Sequence, residues 1–572
     1  MERTLAPVAR PCGHPERPRA WARAVIGGLR VPGQTWRVIT TIASLQTLLL
    51  LVAVLVVVAL AAQRWRVTPP ILMVIAGIAM ALVPGLPRFE LSPEFVLLFV
   101  LPPVIYAAGV AMSWREFRFN LRPIGLFAFG GVVFTACALA TALHCALGLD
   151  WGLGFLLGAI VAPPDAVAPI AIARDLGVPR RILVVLEGEG LVNDATALVI
   201  YRLAVAAVTT GAFSLVRAVG LFWGILAGEI LYGIAIGWLS LRLRRWAHNT
   251  RVEIVLSLMT PYAAFWLPAH LGGSGVLATA AAGLYVSWRG PLQISAATRL
   301  QGIFFWDLVI YLIDGLVFLY TGLQLRMLVE RIQLGELHWL VLVTALTAVI
   351  AIAARFVWTF PAVYVPRWIS KRIAARDPAP PWQTAFMAAF TGIRGVVSLA
   401  AALAVPIATR DGRPFPHRDM FLFVAFSVIL ITLIGQGLSL PRVIRRLDLA
   451  RGGEQESRLE LEQQRAARHH VIDRAARALE QIAAARAAPD DAVREVQDHL
   501  ADQRRHVPDA TGDHLALACS TVELRAALIG EQRRALHQLL RDGQLSDESR
   551  RRLERELDLE EEALRHRGDL AL

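Results

Sequence analysis

Charge is scarce in this chain: Asp, Glu, Lys and Arg make up 18% of its 572 residues, against 56% hydrophobic residues. Soluble domains carry about a quarter charged residues, so a water-facing surface along the whole chain is excluded. Cysteine is scarce too, and Cys12, Cys137, Cys145 and Cys519 lie too far apart for a disulfide framework or a metal knuckle. Zinc-binding, nucleotide-binding and covalent-catalysis motifs are absent, which leaves no cofactor to expect and argues against an enzyme. The formal net charge of +12 does not indicate nucleic acid, because the arginines fall in short loops between apolar stretches and in an acid-rich tail.

What the sequence does have is a succession of apolar stretches. Thr41–Gln63 is long enough to cross roughly 30 Å of hydrocarbon at about 1.5 Å per residue, with every backbone group paired inside the helix. Hydrophobic runs predict spans at 42–63, 70–85, 94–112, 123–146, 151–173, 183–209, 217–242, 252–270, 274–288, 302–325, 338–364, 384–407 and 418–439. The expectation is an all-α polytopic membrane protein of about thirteen transmembrane helices over residues 42–445. Residues 1–41 form an arginine-rich segment whose composition permits disorder. Residues 446–572 turn to Glu, Arg, Ala and Leu, with helical spacing in Leu459–Ala485 and Ser520–Leu540 broken near Pro489 and Pro508–Gly512. They read as a helical tail, solvated or supporting oligomerisation, with regulation as the alternative.

Cytoplasmic loops retain positive charge during insertion, and alternate loops here are basic, from Arg64 and Arg66 through Arg180 and Arg181 to Arg442, Arg445 and Arg446. The tail is therefore expected in the cytoplasm, with the spans in a cell membrane, for a bacterium the inner one. The same count puts the amino terminus outside, although residues 1–37 hold seven arginines against two glutamates. Either one span is miscounted, or the segment crosses despite its charge, or translation starts nearer Val31.

Ionisable side chains inside spans are costly, so their clustering in two neighbouring spans points to function. In the fifth span, Pro163 and Pro164 lack amide hydrogens, which leaves the carbonyls of Ala159 and Ile160 without helical donors; Pro169 does the same to the carbonyl of Asp165. The helix should break around Asp165, where freed carbonyls beside a carboxylate offer oxygen ligands to a small cation. The alternative is a proline kink with Asp165 in a structural pair. In the sixth span Glu189 and Asn193 fall about 40° apart, and Glu187 and Asp194 share another face. A carboxylate in a low-dielectric cavity makes protons compete with cations, the simplest basis for exchange. Arg394, between Gly392 and Gly395 in the twelfth span, is expected to neutralise Glu189 as a structural pin.

These segments resemble the sodium/proton exchangers of the cation:proton antiporter-1 group, in which an Asp on a broken helix precedes a Gly-Glu-Ser-Leu-x-Asn-Asp motif and a later broken helix carries Arg-Gly. The matching residues are Asp165, then Gly188, Glu189, Leu191, Asn193 and Asp194, then Arg394 and Gly395. Leu101–Tyr106 (LPPVIY) and Leu316–Leu325 (LVFLYTGLQL) extend the likeness over about residues 45–445. The resemblance implies inverted repeats, spans one to six mirrored by eight to thirteen, with broken crossing helices five and twelve and usually a homodimer in the lipid. It also implies electroneutral exchange of one cation for one proton. Asp165 and Asp194, with Asn193 and Pro164, would bind the monovalent cation or proton, and Glu189 would pair with Arg394. The family's Thr before the first Asp is Pro164 here, its motif Ser is Gly190, some members' acid after the LPP segment is Ala107, and an expected Asn is Asp314. Asp314 and Glu187 are accessory candidates, Asp314 either supplying the missing carboxylate or serving as a polar residue of the dimer interface or of helix packing. The transported ion is expected to be Na⁺, with Li⁺ following it and K⁺/H⁺ exchange as the alternative. A remote second class is an intramembrane protease, on Gly272-Gly273-Ser274-Gly275 or an Asp165/Asp194 pair; a channel or a sensor is another.

Overall fold

Backbone polar groups in hydrocarbon must pair within their own segment, and the apolar stretches are accordingly helical. The computed structural model describes residues 34–65, 67–84, 95–210, 215–331, 335, 337–409, 412–486, 489–505, 512–541 and 547–569; most of the arginine-rich amino-terminal segment lies outside these. The chain divides into two units, Met1–Ala450 and Arg451–Leu572. Among the described residues, the pairing outside helices is a single bridge between Ala408 and Pro414.

The first unit is a multi-pass helical membrane domain. In chain order its principal helices are α1 (Gln34–Trp65), α2 (Pro69–Ala81), α3 (Val96–Ala111) and α4 (Leu121–Leu147). The next is interrupted, α5a (Trp151–Val161) and α5b (Val167–Asp175), and α6 (Arg180–Thr210) and α7 (Leu215–Ala247) follow. Then come α8 (Thr250–His270), α9 (Val276–Arg289), α10 (Ala296–Arg331) and α11 (Leu337–Ile369). A second interrupted helix, α12a (Trp382–Phe390) and α12b (Val396–Leu403), precedes α13 (Arg418–Arg446). Among the described residues, eight of the helices are long and apolar enough to cross a membrane. The two interruptions occupy equivalent places in α1–α6 and α8–α13, as inverted repeats require.

Small residues let these helices approach closely where hydrocarbon outside provides no hydrophobic drive. A Cβ on Gly158 of α5a would meet the Ala136 Cα of α4 at 2.8 Å, so the two backbones are in near contact. One buried cluster joins α4, α5a, α11, α12b and α13 through Leu139, Leu156, Val343, Leu399 and Phe421. Another joins α1, α2 and α10 to α5b and the α12 interruption through Leu55, Val74, Leu319, Ala168 and Ile393. The two broken helices thus pack into both clusters, each of which also takes residues from α10. Leu221, Trp223, Leu231 and Trp238 of α7 stay exposed, as suits a surface facing lipid.

In the second unit and the segment leading into it, the helices are α14 (Leu449–Arg486), α15 (Asp490–Arg505), α16 (Gly512–Arg541) and α17 (Asp547–Asp569). The first break falls at Pro489, as its missing amide hydrogen dictates. Arg533 of α16 ties to Asp558 and Glu561 of α17 at 2.5 and 2.6 Å.

Candidate ion-binding site at the crossing of two broken helices

The α5 helix stops where Pro163 and Pro164 remove two donors: the last bond of α5a runs from the Ala162 amide to the Gly158 carbonyl. The chain stays non-helical until α5b, whose first turn Asp165 organises. Its Oδ1 accepts from the Val167 N–H at 2.9 Å, placing a carboxylate at the positive end of the half-helix. The Asp165 N–H donates to the carbonyl of Ile393 at 2.7 Å, so the two interruptions are bonded to each other. Gly395 makes this approach feasible, since a Cβ there would lie 2.0 Å from the Asp165 Oδ2.

From α6, Asn193 Nδ2 donates to the carbonyl of Pro164 at 2.7 Å, while its Oδ1, fully buried, has no donor. Asp194, the next residue, interacts electrostatically with Asp165. Among the described residues, no hydrogen bond or ion pair reaches the Asp194 side chain. The structure thus brings Asp165, Asn193, Asp194 and the Pro164 carbonyl together. The carbonyl of Pro164 is occupied by the Asn193 amide, which makes Pro164 a fixed strut in this arrangement.

Two expectations are corrected. Glu189 does not pair with Arg394: both its oxygens accept from Arg355 of α11, at 2.6 and 2.9 Å, in a bidentate pair whose side chains are 3% and 10% exposed. Arg355 Nε also donates to the carbonyl of Ala388, near the end of α12a. Arg394 instead donates to the carbonyl of Ala162 at the end of α5a and, at 3.4 Å, to that of Ala351, while its own N–H donates to Thr432 Oγ1 at 3.0 Å. The physical reason is complementarity with a helix end: a buried guanidinium meets the partial negative charge and unsatisfied carbonyls that the α5 break creates. Glu187, the second correction, is paired with Arg174 at 2.9 Å and half-exposed. It sits seven residues from Asp194, about two helical turns or 10 Å along α6, too far to join the site.

Arg355 was the functional residue most readily overlooked. It lies 14 residues from the nearer end of α11, about 20 Å along the axis, too deep for its side chain to snorkel to an interface. A mid-span arginine at that depth needs acceptors inside the protein, and Glu189 supplies both of its carboxylate oxygens.

The Gly-Gly-Ser-Gly string has a structural explanation. Glu229 of α7 accepts from the backbone N–H of Ser274, from those of Gly275 and Leu277 at 3.0 and 3.2 Å, and from the Ser274 hydroxyl at 2.9 Å. The carboxylate caps the start of α9 and engages the serine as a donor, with no histidine or lysine base among the described contacts of Ser274.

The arrangement separates two kinds of charge. Glu189 and Arg355 neutralise each other, and Arg394 is engaged by the Ala162 carbonyl of the α5 break and the Ala351 carbonyl of α11. Asp165 and Asp194 interact electrostatically with each other, and among the described residues no ion pair reaches either carboxylate.

Comparison with known proteins agrees with this geometry. The profile of the family described as "Sodium/hydrogen exchanger, transmembrane" matches residues 49–446. A Na(+)/H(+) exchanger of Mycobacterium tuberculosis is 39% identical over 69% of this chain and 73% of its own length. A Na(+)/H(+) antiporter of Aphanothece halophytica is 33% identical over 66% of this chain and 69% of its own. Among solved structures, the sodium proton antiporter of Methanocaldococcus jannaschii superposes with a TM-score of 0.57 at 18% identity, covering 71% of this chain and 99% of that one, a likeness of fold. With broken helices crossing at paired carboxylates and a family match across the whole helical domain, this chain belongs to the transmembrane sodium/hydrogen exchangers, a family of cation/proton antiporters.

Proposed function

We propose that this protein exchanges Na⁺, and Li⁺ in its place, for H⁺ one for one, by competition of cation and proton for the carboxylates of Asp165 and Asp194. The observation that supports this most directly is that these two acids share one crossing without a basic partner among the described residues, while the neighbouring Glu189 is already neutralised by Arg355. An empty, charged carboxylate pair is expensive to carry across the barrier, whereas the proton-bound or cation-bound site is not; exchange follows without another energy source. Asn193 holds the broken α5 through Pro164 and leaves an amide oxygen for the ion. The basic loops favour a bacterial inner membrane with the tail in the cytoplasm, and the fold suits a homodimer.

The test is a pH-gradient dequenching assay in everted vesicles or proteoliposomes, with Na⁺, Li⁺ and K⁺ added in turn to wild type and to Asp194→Asn. Proton movement triggered by Na⁺ and Li⁺ and lost in the variant is expected. A response to K⁺ alone would replace the ion, and no response between about pH 6 and 9 would remove the exchange reading.

A further inference from the structure

A third acid of the membrane interior, Asp314, stands at the same crossing from the side of α10. Phe318, one turn further along the same face of α10, is 3% exposed in the buried cluster that contains Ala168 of α5b and Ile393 of the α12 interruption. The adjoining Gly315 turns towards α1, where a Cβ would lie 2.5 Å from Leu55 Cδ1. That leaves Asp314 on the face turned to the broken helices, and the Asp165 carboxylate acts on it electrostatically as it does on Asp194.

Among the described residues no hydrogen bond or ion pair reaches the Asp314 side chain, and the two buried arginines near the crossing are engaged elsewhere, Arg355 with Glu189 and Arg394 with the Ala162 carbonyl. A helix-packing role for a buried polar group requires a partner across the helix interface, and Asp314 has none among the described residues. Across the crossing, the buried Oδ1 of Asn193 is likewise without a donor. Unpartnered carboxylate and amide oxygens are the ligand set that a small hard cation takes.

We propose that Asp314 is a third cation-binding carboxylate of this site, which sets the affinity for the cation while Asp165 and Asp194 carry the exchange. The proposal rests on the exchange reading above. An additional negative charge in a low-dielectric site holds a cation more tightly through Coulomb attraction, and its removal lowers affinity while the exchanging pair stays intact.

The experiment uses the full chain purified and reconstituted, as wild type, Asp314→Asn, Asp314→Ser and Asp314→Glu. It reads the apparent KM for Na⁺ and the maximal exchange rate, together with Na⁺ binding in detergent by calorimetry. Asp314→Asn is expected to raise both KM and Kd about tenfold with the maximal rate within about twofold. Asp314→Glu should hold KM within about threefold, because the charge is kept. Thermal stability of Asp314→Asn should match or exceed wild type, since an unpartnered buried charge has been removed. KM and Kd of Asp314→Asn within twofold of wild type would overturn the proposal, and so would loss of folded protein in both Asp314→Asn and Asp314→Ser. Failure of the exchange reading looks different: wild type itself would move no protons on addition of any cation, whereas the calorimetric comparison would still report whether Asp314 holds Na⁺.

Discussion

The pairing of Glu189 with Arg355 can be tested by a double-mutant cycle. Glu189 and Arg355 meet through bonds of 2.6 and 2.9 Å with side chains 3% and 10% exposed, so removing one partner leaves an uncompensated charge in the membrane interior. That loss costs about 3–5 kcal/mol in buried pairs. Arg355→Gln also gives up the Nε bond to the Ala388 carbonyl, worth about 1 kcal/mol more, so it should destabilise somewhat more than Glu189→Gln. The double variant should fall short of the sum of the two single losses, by a coupling of about 2–3 kcal/mol. Arg394 shares the neighbourhood but donates to the Ala162 and Ala351 carbonyls, so Glu189→Gln with Arg394→Gln should couple by less than about 1 kcal/mol. The assay is unfolding by SDS titration in mixed micelles, followed by circular dichroism on all six proteins, wild type included. A coupling with Arg394 equal to or larger than that with Arg355 would refute the argument.

Other consequences can be measured in the same preparations. Gly395→Ala places a Cβ 2.0 Å from the Asp165 Oδ2 and forces the carboxylate back by more than an ångström, so exchange should fall about 100-fold although no charge is removed; normal exchange with normal yield would count against the crossing geometry. Glu229→Ala removes the acceptor for the backbone of Ser274, Gly275 and Leu277 and should lower stability by about 2–4 kcal/mol, whereas Ser274→Ala costs about 1 kcal/mol and leaves the KM for the cation unchanged. Between α11 and α12a, Asp377 meets Arg122, Arg181 and Arg367. Burial pushes its carboxyl up, but hydrogen bonds and charge from Arg181 and Arg367 outweigh this and hold it below its ordinary value of 3.8. A depressed carboxylate stabilises the fold above its unfolded value and ceases to do so as pH falls through the folded one. Asp377→Asn should therefore lose about 1–2 kcal/mol at neutral pH, and the gap to wild type should close below about pH 4; a constant gap down to pH 3 would mean the charge is irrelevant.

Much of this protein follows from local rules. Hydrophobic runs dictate the helices because backbone groups in hydrocarbon have no other way to pair, and Pro163 and Pro164 interrupt α5 because they lack the donors a helix needs. The motif around Glu189, Asn193 and Asp194 pointed to the site for a similar reason, since acids at mid-membrane are too costly to be incidental. The identity of each charge's partner was a different matter. Arg355 and Arg394 are both mid-span arginines, and which one meets Glu189 depends on the rotation and depth at which α11 and the α12 interruption pack against α6, quantities that spacing within one helix does not contain. Likewise Glu187 and Asp194 share a face of α6, yet the axial offset between them sends one to Arg174 and leaves the other beside Asp165. Helix positions and breaks were fixed by interactions between residues a few places apart, whereas partners, and with them the division between paired and unpaired charge, were decided by packing between helices, 13 residues apart in the chain for Arg174 and Glu187 and 166 for Glu189 and Arg355.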